Sequence, residues 1–391
     1  MRILMIEHSG KSGMYTYTDA LCEGLHKCGT DVTVLTSSAW PEKERPFAIK
    51  RELSEFTRQQ GTSSKLHWAA DRMSRSLVNI LRRNKFALSE DFDVVHLQGA
   101  GLPLLDQIFL KPLAKKLPLV LTVHDVMSHY DRFVSKNTFM KNNLQIPHRL
   151  IVHYEHGKNL LTKHWDIEAD KIDVIPHGIM PLQNKVETKA AREKFNLPLD
   201  KQILLFFGSI RENKGLEVLL KSMKDVLKQN PKAFLVIAGA IQREISFQKY
   251  SDIITQLNIS ENIREFIKII PDEDVDYFFA ASDVVILPYT KFASQSGVLL
   301  RAYAHEKPVV VSDVGAMGQL VNSDEIGLVV EPANEKALTQ AIIDILSNSE
   351  NYKSRYNNQL KSRYDWKQIA NMTLGVYEKA ITQKSKNNAI R

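Results

Sequence analysis

The chain has 391 residues, 43% of them apolar and 25% charged, with a formal charge of +7. That length suits two domains, and the composition excludes a disordered, collagen-like or disulfide-stapled chain. No apolar run approaches the roughly 20 residues of a membrane span, and MRILMIEHSG enters a strand with no signal-peptide core, so a cytoplasmic protein is expected.

Arg2–Ile6 reads as a buried strand leading into HSGKSGMYTYTDALCEGL, a loop with Gly10 and Gly13 followed by a helix. Asp31–Leu35 is the next strand and completes a βαβ unit. The glycines let a ligand approach the backbone, but their spacing is not GxGxxG, which disfavours a dinucleotide site. Cys22 and Cys28 lie six apart on roughly opposite helical faces, without metal-ligand spacing, as in a reducing compartment. Ser38–Gly61 is polar and reads as a long loop near the ligand edge. Residues 57–88 then carry seven cations (Arg58, Lys65, Arg72, Arg75, Arg82, Arg83 and Lys85) against one acid, Asp71. Helical periodicity puts Leu66, Ala70, Met73, Leu77 and Ile80 on an inward face. Lys65, Arg72, Arg75, Arg82 and Arg83 form an outward basic face, suited to an anionic membrane surface or phospholipid-linked substrate. Nucleic acid is disfavoured: no recognised module is present, and the basic face lacks interleaved aromatics for base stacking.

Strand and helix patterns alternate onward: Asp93–Leu97, Leu104–Lys116, Pro118–Asp125, His148–Leu161 and Lys171–Ile179. Such alternation predicts a parallel sheet with ligands at the strands' carboxyl ends, where His124 falls. Pro181–Lys201 is a polar connection and marks a domain boundary. A second α/β series follows: Ile203–Met223, Ala233–Gly239, Ile263–Ile270, Val284–Ser312 and Gly327–Pro332, then a helix over Asn334–Leu346. The expected division is 1–181, 182–363, a terminal helix over 364–383 returning to the first domain, and a disordered tail over 384–391.

The chemistry concentrates at two places. In FFGSIRENKG (Phe206–Gly215) a buried strand ends at Gly208, a short loop carries Arg211 and Lys214, and Gly215 opens a helix. Cations and helix-end amides at a strand's carboxyl edge suit a diphosphate, which Arg grips bidentately and Lys meets as a point charge. Two solvated loop cations are the competing reading of this segment alone. In Val284–Ser312 two apolar strands bracket a polar loop and a helix beginning near Gly297, a second phosphate-compatible turn.

From Arg2 to about Leu346, the glycine loop at Gly13, LTVHD, VIPHG, LLFFGSIRENKG, LVIAG, LPY…QSGVLLRAYAHEKPVVVSDVGA and GLVVEP occur in an order that resembles the family 4 retaining glycosyltransferases. The resemblance implies an α/β GT-B fold: two Rossmann-like domains with parallel sheets facing an interdomain cleft, the first binding the acceptor and the second the nucleotide sugar. It implies retaining transfer of a sugar from a UDP- or GDP-linked donor to a hydroxyl of a glycan or lipid-linked acceptor, in cell-surface polysaccharide or glycolipid synthesis. No metal or cofactor is expected.

The same resemblance makes Lys214 and Arg211 the diphosphate ligands that stabilise the leaving group, although Ser209 stands where the family's usual arginine follows the glycine. His124 is implied beside the donor sugar. Gly13 and its loop, Gly208, Gly239 and the backbone of Ser296, Gly297 and Val298 are implied around the donor. One departure stands out. The family's two glutamates, eight residues apart, align with Ala293 and Arg301. The QSG form marks a subset in which Gln295 or Ser296 takes over sugar contacts, and Arg301 meets phosphate or its own domain. Ile267–Pro271 is expected to line the base pocket. The competing reading is a non-catalytic or partner-dependent sugar-nucleotide-binding homologue. A third, a soluble synthase acting on a sugar acceptor, leaves the basic face unexplained.

Overall fold

The computed structural model describes residues 1–55, 65–99, 103–126, 138–182, 184–242, 245–292 and 296–389. The backbone divides into two compact units, Met1–Gly178 with Arg363–Arg391, and Ile179–Ser362.

In the first unit the elements run β1 (Arg2–Ile6), α1 (Ser12–Lys27), β2 (Asp31–Ser37), β3 (Ala48–Leu53), α2 (Lys65–Ala87), β4 (Val94–Leu97), α3 (Pro103–Lys116), β5 (Leu119–Thr122), α4 (Thr138–Gln145), β6 (Arg149–Val152), α5 (Glu155–Trp165) and β7 (Ile172–Val174). The strands form one parallel sheet in the order β3-β2-β1-β4-β5-β6-β7. Runs such as LVLT and VVHL are buried throughout because both faces are covered. Alternate residues go to opposite layers. Leu4, Ile6, Val95 and Leu121 share a core with Leu110 and Leu113 of α3, whereas Ile3, Met5, Val34 and Val120 pack with Leu21 and Leu25 of α1.

The second unit contains α6 (Thr188–Lys194), β8 (Gln202–Phe207), α7 (Leu216–Gln229), β9 (Ala233–Ala238), α8 (Gln248–Gln256), β10 (Ile263–Phe266), α9 (Asp272–Ala281), β11 (Val284–Leu287), α10 (Gly297–Ala304), β12 (Val309–Ser312), α11 (Met317–Asp324), β13 (Gly327–Val330), α12 (Glu335–Ser347), α13 (Ser349–Lys353) and α14 (Asn358–Arg363), the last reaching the unit boundary. Its six strands are also parallel, in the order β10-β9-β8-β11-β12-β13. Phe206, Leu235, Ile286 and Val310 pack against Leu216, Leu220 and Met223 of α7 and Ile342 and Ile345 of α12. Then α15 (Trp366–Ala389) packs in the first unit, placing Ile369, Ala370, Val376, Tyr377 and Ala380 in the core with α1. In each sheet the strand order reverses beside the first strand of the series, β1 and β8, and ligands of such sheets bind outside that switch point.

Three expectations need correction. Ser38–Gly61 is not wholly a loop: β3 adds a seventh strand beside β2. Its sequence AIKREL buries only Leu53 fully, as an edge strand with a charged outer surface does, so it carries no buried-strand pattern. Residues 384–389 are not a tail, because α15 continues to Ala389 with no glycine or proline to stop it.

The third concerns α2, whose inward face is not the apolar one. Ala70, Met73 and Leu77 are exposed and Ile80 is buried, the side chain of Leu66 lying outside the described residues. The inward side is instead Ser76, Asn79, Ile80, Arg83 and Ala87. Asn79 pairs like a strand with Ser54, accepting from its N–H at 2.8 Å and donating to its carbonyl at 2.8 Å. Arg83 is not on the outer basic face. It is buried, and its Nη1 donates to buried Asp106 of α3 at 2.8 Å. Partnered polar groups thus take positions that periodicity reserves for apolar ones. The side chain of Lys65 and residues 56–64, including Arg58, lie outside the described residues; Arg72, Arg75 and Arg82 are at or near the surface.

Candidate active site

At the switch point of the second unit, β8 ends at Phe207 and the chain turns through Gly208, Ser209 and Ile210 into a 3₁₀ turn, Glu212–Lys214. Gly215 closes that turn at φ +71° and starts α7; a Cβ there would sit 1.8 Å from the Pro288 carbonyl oxygen. Gly239, at φ +152° after β9, would place a Cβ 1.9 Å from the Gly208 carbonyl oxygen. Only glycine permits these strand ends to approach so closely. The exit of β11 is then bonded to the cationic turn: Thr290 N–H donates to the Asn213 carbonyl at 3.0 Å, and Asn213 Nδ2 donates to the Lys291 carbonyl at 3.0 Å.

Lys214 lies in an aromatic corner. Its Nζ is 3.6 Å from the Tyr289 ring centre and 4.3 Å from that of Phe292. Tyr289 is itself buried, its hydroxyl 3.1 Å from Ser296 Oγ, and burial pushes its phenol up to about 12. Burial and then the neighbouring Arg211 charge lower Lys214 from 10.5 to about 7. The quadrupoles of the two rings hold the ammonium without neutralising it. Arg211 Nε donates to Ser209 Oγ at 3.3 Å, and neither cation has a carboxylate partner among the described residues. Two adjacent cations, one of them desolvated, form a site that gains from an anion.

Buried Ser296 leads into α10, whose first turn carries no acid; Gly297 is exposed, and Val298 Cγ2 lies 3.3 Å from where a Gly208 Cβ would be. The structure therefore brings Gly208, Arg211, Lys214, Gly239, Ser296 and Val298 to one sheet edge. Gln295 and Ala293 lie outside the described residues. Arg301 is taken up by its own domain, with Nη1 3.5 Å from Asp276 Oδ1 and 3.5 Å from the Pro181 carbonyl. Asp276 also accepts from Asn184 N–H at 2.8 Å and contacts His305 Nε2 at 3.0 Å.

In the first unit the loop after β1 is organised by Glu7, a buried carboxylate that sequence reading passed over. One oxygen accepts from Ser9 N–H at 2.8 Å and Ser9 Oγ at 2.6 Å, and the other from Gly10 N–H at 2.5 Å. A charged residue ending a buried strand was the available signal. Gly13 is exposed in the first turn of α1, with open space on its Cβ side.

His124, after β5, belongs to a cluster of rings. Tyr17 is its centre, at 4.9 Å from His124, 5.1 Å from His153, 4.7 Å from His177 and 5.3 Å from Trp366. Both His124 nitrogens are engaged: Nε2 is 3.0 Å from the Gln98 side-chain amide, and Nδ1 is 3.2 Å from His153 Nε2. His96 bridges Tyr377 and Thr122 hydroxyls, each at 2.7 Å. Burial lowers His96 to about 3, His153 to about 4 and His177 to about 3, and holds His124 well below 6.5. All four are neutral imidazoles at pH 7. Among the described residues no group of three or more His, Cys, Asp or Glu is arranged to hold a metal ion.

Comparison with known proteins accounts for both halves. Residues 11–181 match the family Glycosyltransferase Family 4, and residues 187–362 match Glycosyl transferases group 1. An uncharacterized glycosyltransferase of Methanocaldococcus jannaschii is 28% identical over 222 residues, 54% of this chain and 55% of that protein. The phosphatidyl-myo-inositol mannosyltransferase of Mycobacterium leprae is 27% identical over 312 residues, 78% of each chain. The match thus spans about half the length of the first relative and more of the second. Among solved structures, sucrose-phosphate synthase from Thermosynechococcus elongatus superposes with a TM-score of 0.72 at 19% identity, covering 98% of this chain and 99% of that one. Anabaena HepE in complex with UDP superposes at 0.69 with 14% identity, covering 97% and 100%. These likenesses show the shared fold. With two family matches that between them take in nearly the whole chain, on two parallel Rossmann-like sheets, the chain is a GT-B glycosyltransferase of the family 4 type.

Proposed function

We propose that this glycosyltransferase moves a sugar, with retention of anomeric configuration and without a metal, from a nucleotide-diphosphate donor to a hydroxyl of a glycan or lipid-linked acceptor. The observation that carries the donor class is the Arg211–Lys214 pair at the β8 switch point, two cations without carboxylate partners among the described residues, beside the first turn of α10. A diphosphate arriving there restores the Lys214 proton and gains charge-assisted bonds from Arg211. As the glycosidic bond breaks, negative charge grows on the leaving phosphate, and fixed cations stabilise that charge more than the ground state. The UDP bound by HepE agrees with this donor class. Incubating the full chain with a panel of UDP- and GDP-sugars, with and without membrane extract, is expected to release nucleoside diphosphate from one donor. Absence of release from every donor, with binding retained, would select the non-catalytic binding homologue instead.

A lipid-linked acceptor is favoured by the outer surface of α2. Met73, Leu77 and Leu81 follow one another at four-residue spacing and are exposed, at 53%, 37% and 50%, with Leu88 beyond them at 45%. Val78, Arg82 and Lys85 lie alongside, and a cavity of about 630 Å³ is lined by Arg51, Glu52, Arg82, Lys85, Phe86 and Ser89. Apolar side chains flanked by cations bind an anionic bilayer surface by insertion plus charge. No helix among the described residues is long and apolar enough to cross a membrane. Co-sedimentation with vesicles containing phosphatidylglycerol is expected, to fall at least tenfold in a Leu77→Asp/Leu81→Asp variant and to weaken with salt. A chain that stays in the supernatant whatever the lipid charge would favour a soluble sugar acceptor.

A further inference from the structure

The rings around His124 form a chain of hydrogen bonds whose direction follows from its fixed end. His153 Nδ1 lies 3.1 Å from the Ile175 carbonyl oxygen, which can only accept. His153 Nε2 faces His124 Nδ1 at 3.2 Å, and His124 Nε2 faces the Gln98 amide, with Oε1 at 3.0 Å. His153 itself has three possible proton arrangements.

With protons on both His153 nitrogens, every contact is satisfied, but a buried imidazolium results. Burial lowers His153 to about 4, so that form is disfavoured about a thousandfold at pH 7. With His153 protonated on Nε2 alone, its bare Nδ1 is left against the Ile175 carbonyl, and a main-chain carbonyl within the fold cannot turn away. With His153 protonated on Nδ1 alone, a proton on His124 Nε2 alone would leave two bare nitrogens facing each other at 3.2 Å. Protons on both His124 nitrogens would make a buried imidazolium, which burial disfavours. His153 Nε2 therefore accepts from His124 Nδ1–H, and the bare His124 Nε2 needs a donor. Gln98 supplies it by a half-turn of its amide, whose two ends are nearly the same shape. The half-turn exchanges the Nε2 contact with Met5 Sδ, 3.0 Å away, a weak acceptor, and sets the amide oxygen toward His96 Nε2, 3.5 Å away, which accommodates it as the Nε2–H tautomer. The third arrangement prevails.

We infer that His153 is a positioning residue: anchored by the Ile175 carbonyl, it fixes His124 as the Nδ1–H tautomer and leaves Nε2 as a hydrogen-bond acceptor. This rests on the reading of His124 as the residue beside the donor sugar. A sugar hydroxyl then donates to His124 Nε2 in place of the Gln98 amide, which turns back to present its oxygen. Among the described residues the other rings and amides facing the pair are Tyr17, His177 and, through Gln98, His96, whose Nε2 is 3.5 Å from Gln98 Nε2. None of these is charged at neutral pH. The charged neighbour is Asp125, next in sequence to His124; it is exposed, and its carboxylate raises His153 slightly against the larger effect of burial.

Histidine tautomers are read directly by long-range ¹H–¹⁵N correlation on the full chain labelled with ¹⁵N-histidine at pH 7.5, the His124 signals being identified by their loss in His124→Gln. The expected spectrum has His124 neutral and protonated on Nδ1. His153→Phe should convert it to the Nε2–H form, because the Gln98 oxygen becomes its remaining partner. His153→Gln, with an acceptor oxygen where Nε2 was, should keep Nδ1–H, and so should Gln98→Leu. A wild-type His124 protonated on Nε2, or a tautomer that switches in Gln98→Leu and not in His153→Phe, would overturn the assignment. Should His153→Phe fail to fold, the wild-type spectrum and Gln98→Leu still decide. Kinetics test the underlying reading separately. His153→Phe is expected to raise donor KM and lower kcat, with partial rescue in His153→Gln. Turnover unchanged in His124→Gln would remove the sugar role while leaving the tautomer chain standing.

Discussion

Lys214→Ala is expected to lower kcat by about two to three orders of magnitude, the cost of deleting one preorganised charge at a developing oxyanion. Fold stability should change little, because the ammonium is half-buried against two rings and among the described residues makes no salt bridge that its loss would leave unpaired. Steady-state kinetics with the best donor, together with a thermal melt, check both halves; turnover within a few-fold of wild type would refute the diphosphate role. Lys214→Arg should not restore the rate, since a planar guanidinium that stacks on the Tyr289 or Phe292 ring does not present the compact point charge that the ammonium offers a phosphate oxygen. The pH behaviour gives a second signature. With Lys214 lowered to about 7 in the free protein, donor binding above that pH must draw a proton from solution. Donor affinity should therefore decline with rising pH from about 7, and the decline should vanish in Lys214→Ala.

The first unit should be acid-labile over a narrow interval. His96, His153 and His177 are at most 8% exposed, and their folded pKa values lie at about 3, 4 and 3. Unfolded histidine titrates near 6.5, so below that pH the unfolded state binds protons that the folded state refuses. Stability is then level above pH 6.5 and falls as pH drops below it. Each ring removes about 1.4 kcal/mol per unit, so three rings remove roughly 6 kcal/mol between pH 6.5 and 5. That is a large share of the roughly 5–15 kcal/mol of a whole domain. Urea midpoints measured from pH 8 to 5 should be constant and then drop steeply, with His177→Phe giving a shallower fall. In the second unit His305 also titrates low, but its Asp276 partner offsets burial, so a distinct, later transition is expected there. A midpoint unchanged from pH 7 to 5 would contradict the burial of these rings.

Much of this architecture was legible because parallel strands buried on both faces announce themselves as apolar runs, as in VVIL and LLFF. The cationic turn was legible too, since Arg211, Lys214 and the glycines are local in sequence. What failed was local patterning where partners are distant. Arg83 looks like a surface cation until Asp106 is seen opposite it, and Met73 and Leu77 look like core until Asn79 is seen bonded to Ser54. Strand β3 is charged because it lies at an edge. The environments of the two site residues were hidden for the same reason. Tyr289 and Phe292 reach Lys214 across 75 and 78 residues of sequence, and Gln98 and His153 flank His124 from strands on either side of β5.

The order of elements has a bearing on how this protein is made. The first unit is discontinuous: its sheet is complete by β7, yet α15, which covers α1 and sends Tyr377 to the buried His96, is translated only after all of the second unit. A ribosome therefore releases the second unit ready to fold while the first still exposes the apolar ground that α15 will occupy. Expressing residues 1–178 alone should yield an aggregation-prone fragment, rescued by α15 supplied in trans or fused after β7 through a short linker. The same dependence makes α15 an unsuitable place for truncation.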